Sequence, residues 1–214
     1  MEKLGLFAAE NYLLHVIDRR FQQASETSPA GAPPFFQVSD HLHRIKPAGA
    51  PQLPPQTLPV CRYLPQTFHA PGADQALVQA LEPLLPILAW IQNPNYQTGV
   101  MPTGFLENYG YADIVSQRGL IADDTFAVGI LLLGPHTEYP PHHHPAEEIY
   151  YTVGGTATWW QTGQTWLARP AGQFVYHASG IVHAMRTGAE PVCLLYAWWG
   201  DVQTAAQLTA DRNA

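Results

Sequence analysis

Positive charge is scarce in this chain. Ten Lys and Arg stand against seventeen Asp and Glu, a formal charge of −7, and no Lys/Arg cluster occurs anywhere. Phosphate backbones are bound by concentrated positive charge, so a nucleic-acid partner is excluded. Charge of either sign is sparse at 13%, while 46% of the residues are apolar, a balance that buries a core and excludes wholesale disorder. Long apolar runs are missing too. No stretch approaches the ~20 uninterrupted apolar residues of a membrane span. Glu2, Glu10, Asp18, Arg19 and Arg20 interrupt the N-terminal segment, so no signal peptide is expected and the expected location is the cytoplasm. Cysteine is limited to Cys61 and Cys193, which are far apart and fit neither a disulfide framework nor a Cys-x-x-Cys zinc pair. At 214 residues the chain is long enough for one well-buried core with an extension.

The organisation changes twice along the chain. From Lys3 to about Gln23, Leu6, Leu13, Leu14, Ile17 and Phe21 recur at roughly helical spacing, which predicts an amphipathic helix in need of a partner. That helix could pack on its own barrel or on another subunit's, which allows a homodimer. Thr27 to Pro59 is rich in Pro, Ala, Gly and Gln, and reads as a covering arm in which Phe35, Phe36, Val38, Leu42 and Ile45 pack down. Leu77, Leu81, Leu84 and Leu88 then form one stripe interrupted by Pro83 and Pro86, which predicts two short helices, with Asp74 as the N-cap of the first.

Beyond about Tyr109 the pattern switches to short runs of β-branched and aromatic residues between turn residues. Phe126 to Leu133, Glu148 to Val153, Thr156 to Gln161, Thr165 to Ala168, Gln173 to His177, Val182 to Arg186 and Val192 to Trp199 read as strands. Gly154-Gly155 and Thr162-Gly163 are tight-turn candidates. Regularly spaced short strands predict a sandwich or barrel, so residues 109–214 are expected to form a mainly β domain and residues 1–108 a helical and Pro-rich extension packing on it.

Inside the β region lies Tyr139-Pro-Pro-His-His-His-Pro-Ala-Glu-Glu-Ile-Tyr150. On an extended strand His142 and His144 point to one face, and Glu148 and Tyr150 share that parity if Pro145-Ala146 makes only a local bend. His183 is available as a fourth ligand, with His177 as its rival. Neutral imidazoles and one carboxylate suit a single divalent transition ion, Fe, Mn, Zn, Co or Ni, and leave coordination positions open to a substrate. His143 has the opposite parity and reads as a surface residue, as does Glu147, whose functional option is a hydrogen bond to a ligand histidine.

His142-x-His144-x3-Glu148, followed by Pro170-x-Gly172 and a later histidine, resembles the two motifs of the cupins, jelly-roll barrels that hold a metal on three histidines and a glutamate. The second motif departs from the general spacing, because Gly163 stands one residue farther from Pro170 and the histidine comes later. Tyr139, Tyr150 and the segment His177-Ala-Ser-Gly-Ile-Val-His183 together resemble the cupin-type dimethylsulfoniopropionate lyases, over roughly Thr125 to Asp201. The resemblance implies cleavage of dimethylsulfoniopropionate, a small sulfonium carboxylate, to dimethyl sulfide and acrylate.

The residues support an elimination on chemical grounds as well. A divalent ion that takes the substrate carboxylate stabilises charge growing at the α carbon, and a phenol near that ion can act as base, with Tyr150 the first candidate and Tyr139 the second. A sulfonium head is attracted by aromatic faces, which Trp159, Trp160, Trp166, Tyr196, Trp198 and Trp199 could supply. Alternation puts one member each of Trp159-Trp160 and Trp198-Trp199 inside, and Trp159, Tyr196 and Trp198 are the expected substrate-facing residues. The same ligands also suit a cupin oxygenase or isomerase, or a binding protein without turnover, neither of which needs the two tyrosines.

Overall fold

Helices lie over one face of a pair of antiparallel sheets in the computed structural model, which describes residues 3–29, 31–47 and 52–209. Residue 30 and residues 48–51 of the Pro-rich arm fall outside the described residues. The helices are α1 (Lys3–Thr27), α2 (Phe35–Leu42), α3 (Leu64–Phe68) and α4 (Gln75–Leu81). Helix α1 runs four residues past Gln23, and α2 forms inside the arm by burying Phe35, Val38 and Leu42. After α4 the leucine stripe continues only as a 3-10 turn, Leu85–Ile87, because Pro83 and Pro86 lack the amide hydrogens an α-helix needs.

The strands are β1 (Trp90–Ile91), β2 (Tyr109–Val115), β3 (Phe126–Leu133), β4 (Glu138–His143), β5 (Glu147–Gly154), β6 (Thr156–Gln161), β7 (Leu167–Pro170), β8 (Phe174–His177), β9 (His183–Thr187), β10 (Val192–Trp199) and β11 (Gln207–Leu208). One sheet has the order β1-β2-β3-β10-β5-β8 and the other β11-β4-β9-β6-β7, which is the cupin jelly-roll architecture. The seven runs read as strands correspond to β3 and β5 to β10, with ends displaced by a residue or two. Four strands carried too weak a signal: β1 and β11 have two residues each, β2 holds Gly110 and Asp113, and β4 holds Pro140-Pro141. Since β1 pairs with β2, the six-stranded sheet begins at Trp90, upstream of residue 109. The turn from β5 to β6 needs glycine: Gly155 has φ +85°, and a Cβ there would lie 2.1 Å from the Pro191 carbonyl oxygen.

The six-stranded sheet is buried on both faces, which is why β3 and β10 read as continuous apolar runs. Along β10, Cys193, Leu195, Ala197 and Trp199 face the helices, packing with Leu13, Ile17, Phe21 and Leu77. The alternate residues Val192, Leu194 and Tyr196 face the other sheet together with Tyr139, Tyr150, Trp159 and Met185. Trp198 lies on that inner side and Trp199 on the helix side, the division expected of a period-two strand.

Asp74 ties the helical layer to the sheet. Its carboxylate caps α4 by accepting the Leu77 amide at 3.2 Å, pairs with the Arg20 guanidinium of α1 (Nη2 to Oδ1, 2.8 Å), and accepts the Tyr151 hydroxyl of β5 at 2.8 Å. Burial alone would raise this carboxyl, but the Arg20 and Tyr151 hydrogen bonds outweigh it and hold it below its ordinary value. Asp74→Ala is expected to cost about 3 kcal/mol, as loss of one partner of a buried ion pair does, and to lower the melting temperature by roughly 6–12 °C for a chain of this size. A depressed folded-state pKa stabilises above the unfolded carboxylate value of about 4 and ceases to as pH falls through the folded value. Thermal unfolding followed by circular dichroism at neutral pH, and again at acid pH where the wild-type advantage should shrink, checks both statements. An unchanged melting temperature at neutral pH would contradict them.

Candidate metal centre

Register builds the site. Across the inner face of the six-stranded sheet one row runs Asp113, Gly129, Tyr196, Tyr150, Val175, and the next runs Ala127, Trp198, Glu148, His177. On the opposing sheet His142 pairs with His183, and His183 with Gln161. Glu148 and His177 therefore face His142 and His183 across the barrel interior, and His144 joins them from the turn between β4 and β5. His144 lies past the end of its strand, yet its ring centre is 6.4 Å from that of His142 and 5.1 Å from that of His183.

Tyr139 and His142 are three residues apart, a spacing that puts side chains on opposite faces of a regular strand. The pairing of β4 with β9 is irregular between them, at Pro140-Pro141, where two amide hydrogens are missing. The slip brings both rings to the inside, stacked at 4.0 Å with 8° between planes.

Glu148 is wholly buried and is the hub. Its Oε2 lies 3.1 Å from His144 Nε2, 3.1 Å from His177 Nδ1 and 3.5 Å from His183 Nε2, and its Oε1 accepts the Trp198 indole N–H. Burial would raise the carboxyl, but His144 first, then His177 and His183, hold it well below the usual range. Burial pushes the imidazole of His142 down to about 3 and holds those of His183 and His177 below their ordinary value, so these three are neutral at pH 7. One ligand atom each from His144, Glu148 and His183 lie within 4.8 Å of one another.

The donor set fits a divalent ion. His142, His144 and His183 each have Nδ1 against a backbone carbonyl oxygen: Pro140 at 2.8 Å, Ala146 at 2.9 Å and Ile181 at 3.0 Å. A carbonyl only accepts, so each Nδ1 donates, and for a neutral ring Nε2 is left as a bare lone pair. The His183 Nε2 is buried without any hydrogen-bond partner. Imidazole lone pairs fixed by their second nitrogen around a buried carboxylate are the arrangement in which protein ligands hold a cation. His177 resembles the others less, since its Nδ1 meets Glu148 itself and its Nε2 is unpartnered.

A cavity of about 450 Å³ opens beside this cluster, lined by Glu148, Tyr139, Tyr150, Tyr196 and Trp198. The Tyr139 hydroxyl is hydrogen-bonded to that of Tyr96 at 2.8 Å, whereas the Tyr150 ring stands 4.8 Å from Trp159 and 5.9 Å from His177. Burial raises both phenols well above 10; for Tyr150 the Glu148 carboxylate adds to it. Tyr196 is held by its hydroxyl donating to Asp113, across Gly129, where a Cβ would lie 2.2 Å from the phenol oxygen. Asp113 also accepts from Arg118 at 2.9 Å, and Arg118 donates to the Tyr111 hydroxyl at 2.9 Å. Tyr109, Tyr111, Asp113 and Arg118 line the same cavity and were missed by motif reading. The alternation of Tyr109, Tyr111 and Asp113 at i, i+2 and i+4 is the signal that could have found them. Of the aromatic residues expected to face substrate, Trp159 and Tyr196 are buried inside the barrel, while Trp198 is stacked on His144 at 4.1 Å with its N–H on Glu148. That contact makes Trp198 a support for two of the clustered side chains.

A jelly-roll barrel with a buried His-Glu cluster beside an aromatic cavity defines a cupin with a candidate metal site. The chain belongs to the dimethylsulfoniopropionate lyase family, carbon–sulfur lyases whose sequence profile matches residues 35–195. A protein of Cereibacter sphaeroides, provisionally named dimethylsulfoniopropionate lyase DddL, is 30% identical over 95% of this chain and 89% of its own length. Dimethylsulfoniopropionate lyase DddQ of Ruegeria pomeroyi is 33% identical over 53% of this chain and 57% of its own. In fold, the crystal structure of the Ruegeria pomeroyi DddQ lyase superposes with a TM-score of 0.69 at 24% identity, over 94% of this chain and 98% of that one. Among the described residues no helix is long and apolar enough to cross a membrane.

Proposed function

We propose that the protein cleaves dimethylsulfoniopropionate to dimethyl sulfide and acrylate by β-elimination, with one divalent transition ion held by His144, Glu148 and His183 together with His142. The observation that carries the reading is the buried Glu148 carboxylate ringed by imidazole nitrogens at the floor of a tyrosine-lined cavity. Membership of the lyase family supports the same reaction. When bound, such an ion supplies Lewis acidity toward the substrate carboxylate and so stabilises the charge that grows at the α carbon.

The side chains do the rest. Tyr150 follows Glu148 by two residues on the inner face of β5 and lines the same cavity. Its phenolate, favoured by a divalent ion held beside it against the upward push of burial and Glu148, is placed to take the α proton and become the neutral phenol. The electrons of that C–H bond form the new double bond, and those of the C–S bond leave with sulfur as neutral dimethyl sulfide. Tyr139 is the weaker candidate for base, because its hydroxyl is engaged with Tyr96 and its ring is stacked on His142. The faces of Tyr196 and Trp198 on the cavity wall offer the sulfonium an environment that attracts cations. His177, hydrogen-bonded to Glu148, orients the carboxylate and is a reserve ligand.

Headspace analysis of purified protein with dimethylsulfoniopropionate is the direct test. Dimethyl sulfide and acrylate should appear in equal amounts, without uptake of oxygen. Oxygen uptake without sulfide release would replace this reading with an oxygenase.

A further inference from the structure

A second cavity, of about 300 Å³, lies on the other side of the histidine cluster. It opens at the seam where β7, the edge of the five-stranded sheet, faces β8, the edge of the six-stranded sheet. Its lining differs in character from that of the first. Register places Trp159, Gln161 and Arg169 on one inner face: Ala157, which shares the face of Trp159, pairs with Arg169, and Gln161 pairs with the inward-facing His183. Val175 and His177 close the cavity from β8.

Three polar atoms on these lining residues are buried and unpartnered: Trp159 Nε1, Gln161 Oε1 and His177 Nε2. Trp159 is 4% and His177 1% exposed, so the missing hydrogen bonds are not made to bulk water. Arg169 is half-buried and has no carboxylate partner among the described residues, in a chain with a net charge of −7. No Asp or Glu lines the cavity. An indole N–H, a primary amide that can turn its NH2 inward, and a guanidinium without a counter-ion are donors for an anion with two oxygens in a plane.

We propose that the seam cavity is a second site for a small monocarboxylate, separate from the candidate metal centre, with Arg169 as its charge partner and Trp159 and Gln161 as neutral donors. Its part in turnover rests on the lyase reading, since acrylate is the anionic product of that reaction. The two openings then divide by charge. The first cavity holds Asp113 and aromatic faces and suits the sulfonium end, and the seam suits the carboxylate that remains once sulfur has left.

The test follows the Trp159 indole N–H resonance, assigned by its loss in Trp159→Phe, while acrylate or propionate is titrated into the protein. A saturable shift is expected in wild type and also in His144→Ala, with the dissociation constant raised about tenfold or more in Arg169→Gln, the loss expected for one charge-assisted hydrogen bond. Arg44→Gln, which removes an exposed arginine outside the cavity lining, should leave it unchanged. A shift abolished by His144→Ala but untouched by Arg169→Gln would place the carboxylate at the metal centre alone and overturn the proposal, as would no shift in wild type. In steady state, acrylate should inhibit wild type in a mixed pattern that becomes competitive in Arg169→Gln. A wild type that binds acrylate but releases no dimethyl sulfide would overturn the lyase reading and leave the carboxylate site standing.

Discussion

His144→Ala is expected to lose bound metal and dimethyl sulfide release together, with activity down on the order of 10³-fold or more. The size follows from two steps. His144 supplies a lone pair at Nε2, 3.1 Å from Glu148 Oε2, with its Nδ1 fixed on the Ala146 carbonyl, and alanine puts no donor atom at that position. Lewis-acid stabilisation of developing carboxylate charge is worth several kcal/mol, and each ~1.4 kcal/mol is tenfold in rate. The substitution also uncovers one face of Trp198, whose ring stacks on His144. A fold readout is therefore needed beside the assay. Circular dichroism should be unchanged, because His144 lies in a turn and the core on either side is contributed by β4, β9, β5 and β10. Retained metal with wild-type turnover would remove His144 from the ligand set.

Tyr150→Phe is expected to lower kcat by about 10²–10⁴, the range for loss of a positioned general base, with KM and metal content little changed. The phenyl ring retains the packing of Tyr150 against Trp159 and Tyr196, so the cavity keeps its shape and only the hydroxyl is removed. Tyr139→Phe should do less to kcat, since its hydroxyl is spent on Tyr96. Rates measured by headspace analysis for both variants decide the assignment. Full activity in Tyr150→Phe with loss in Tyr139→Phe would transfer the role to Tyr139.

Much of the site could be read along the chain, because its parts are close in sequence and obey simple periodicity. His142, His144, Glu148 and Tyr150 lie within nine residues, and Asp74 showed its capping role by standing before a leucine stripe. What escaped was produced by pairing between strands. His177 meets Glu148 because β8 is in register with β5, and nothing in the spacing of the two residues states that register. Tyr196 reaches Asp113 only because Gly129, from a third strand, leaves the space between them empty. The Pro140-Pro141 pair concealed a strand while creating the irregularity that brings Tyr139 and His142 to one side. Trp198 was legible as inward-facing, but its donation to Glu148 depends on the cross-strand pairing of those two residues.

The central claim is that side chains from both sheets converge to hold one ion against the tyrosine-lined cavity. Crystals of the protein grown with Mn²⁺ and measured for anomalous scattering test it most directly. A single strong peak is expected within bonding distance of His144, Glu148 and His183, on the side facing Tyr150. No peak there, with the protein fully active after exhaustive chelation, would contradict the account.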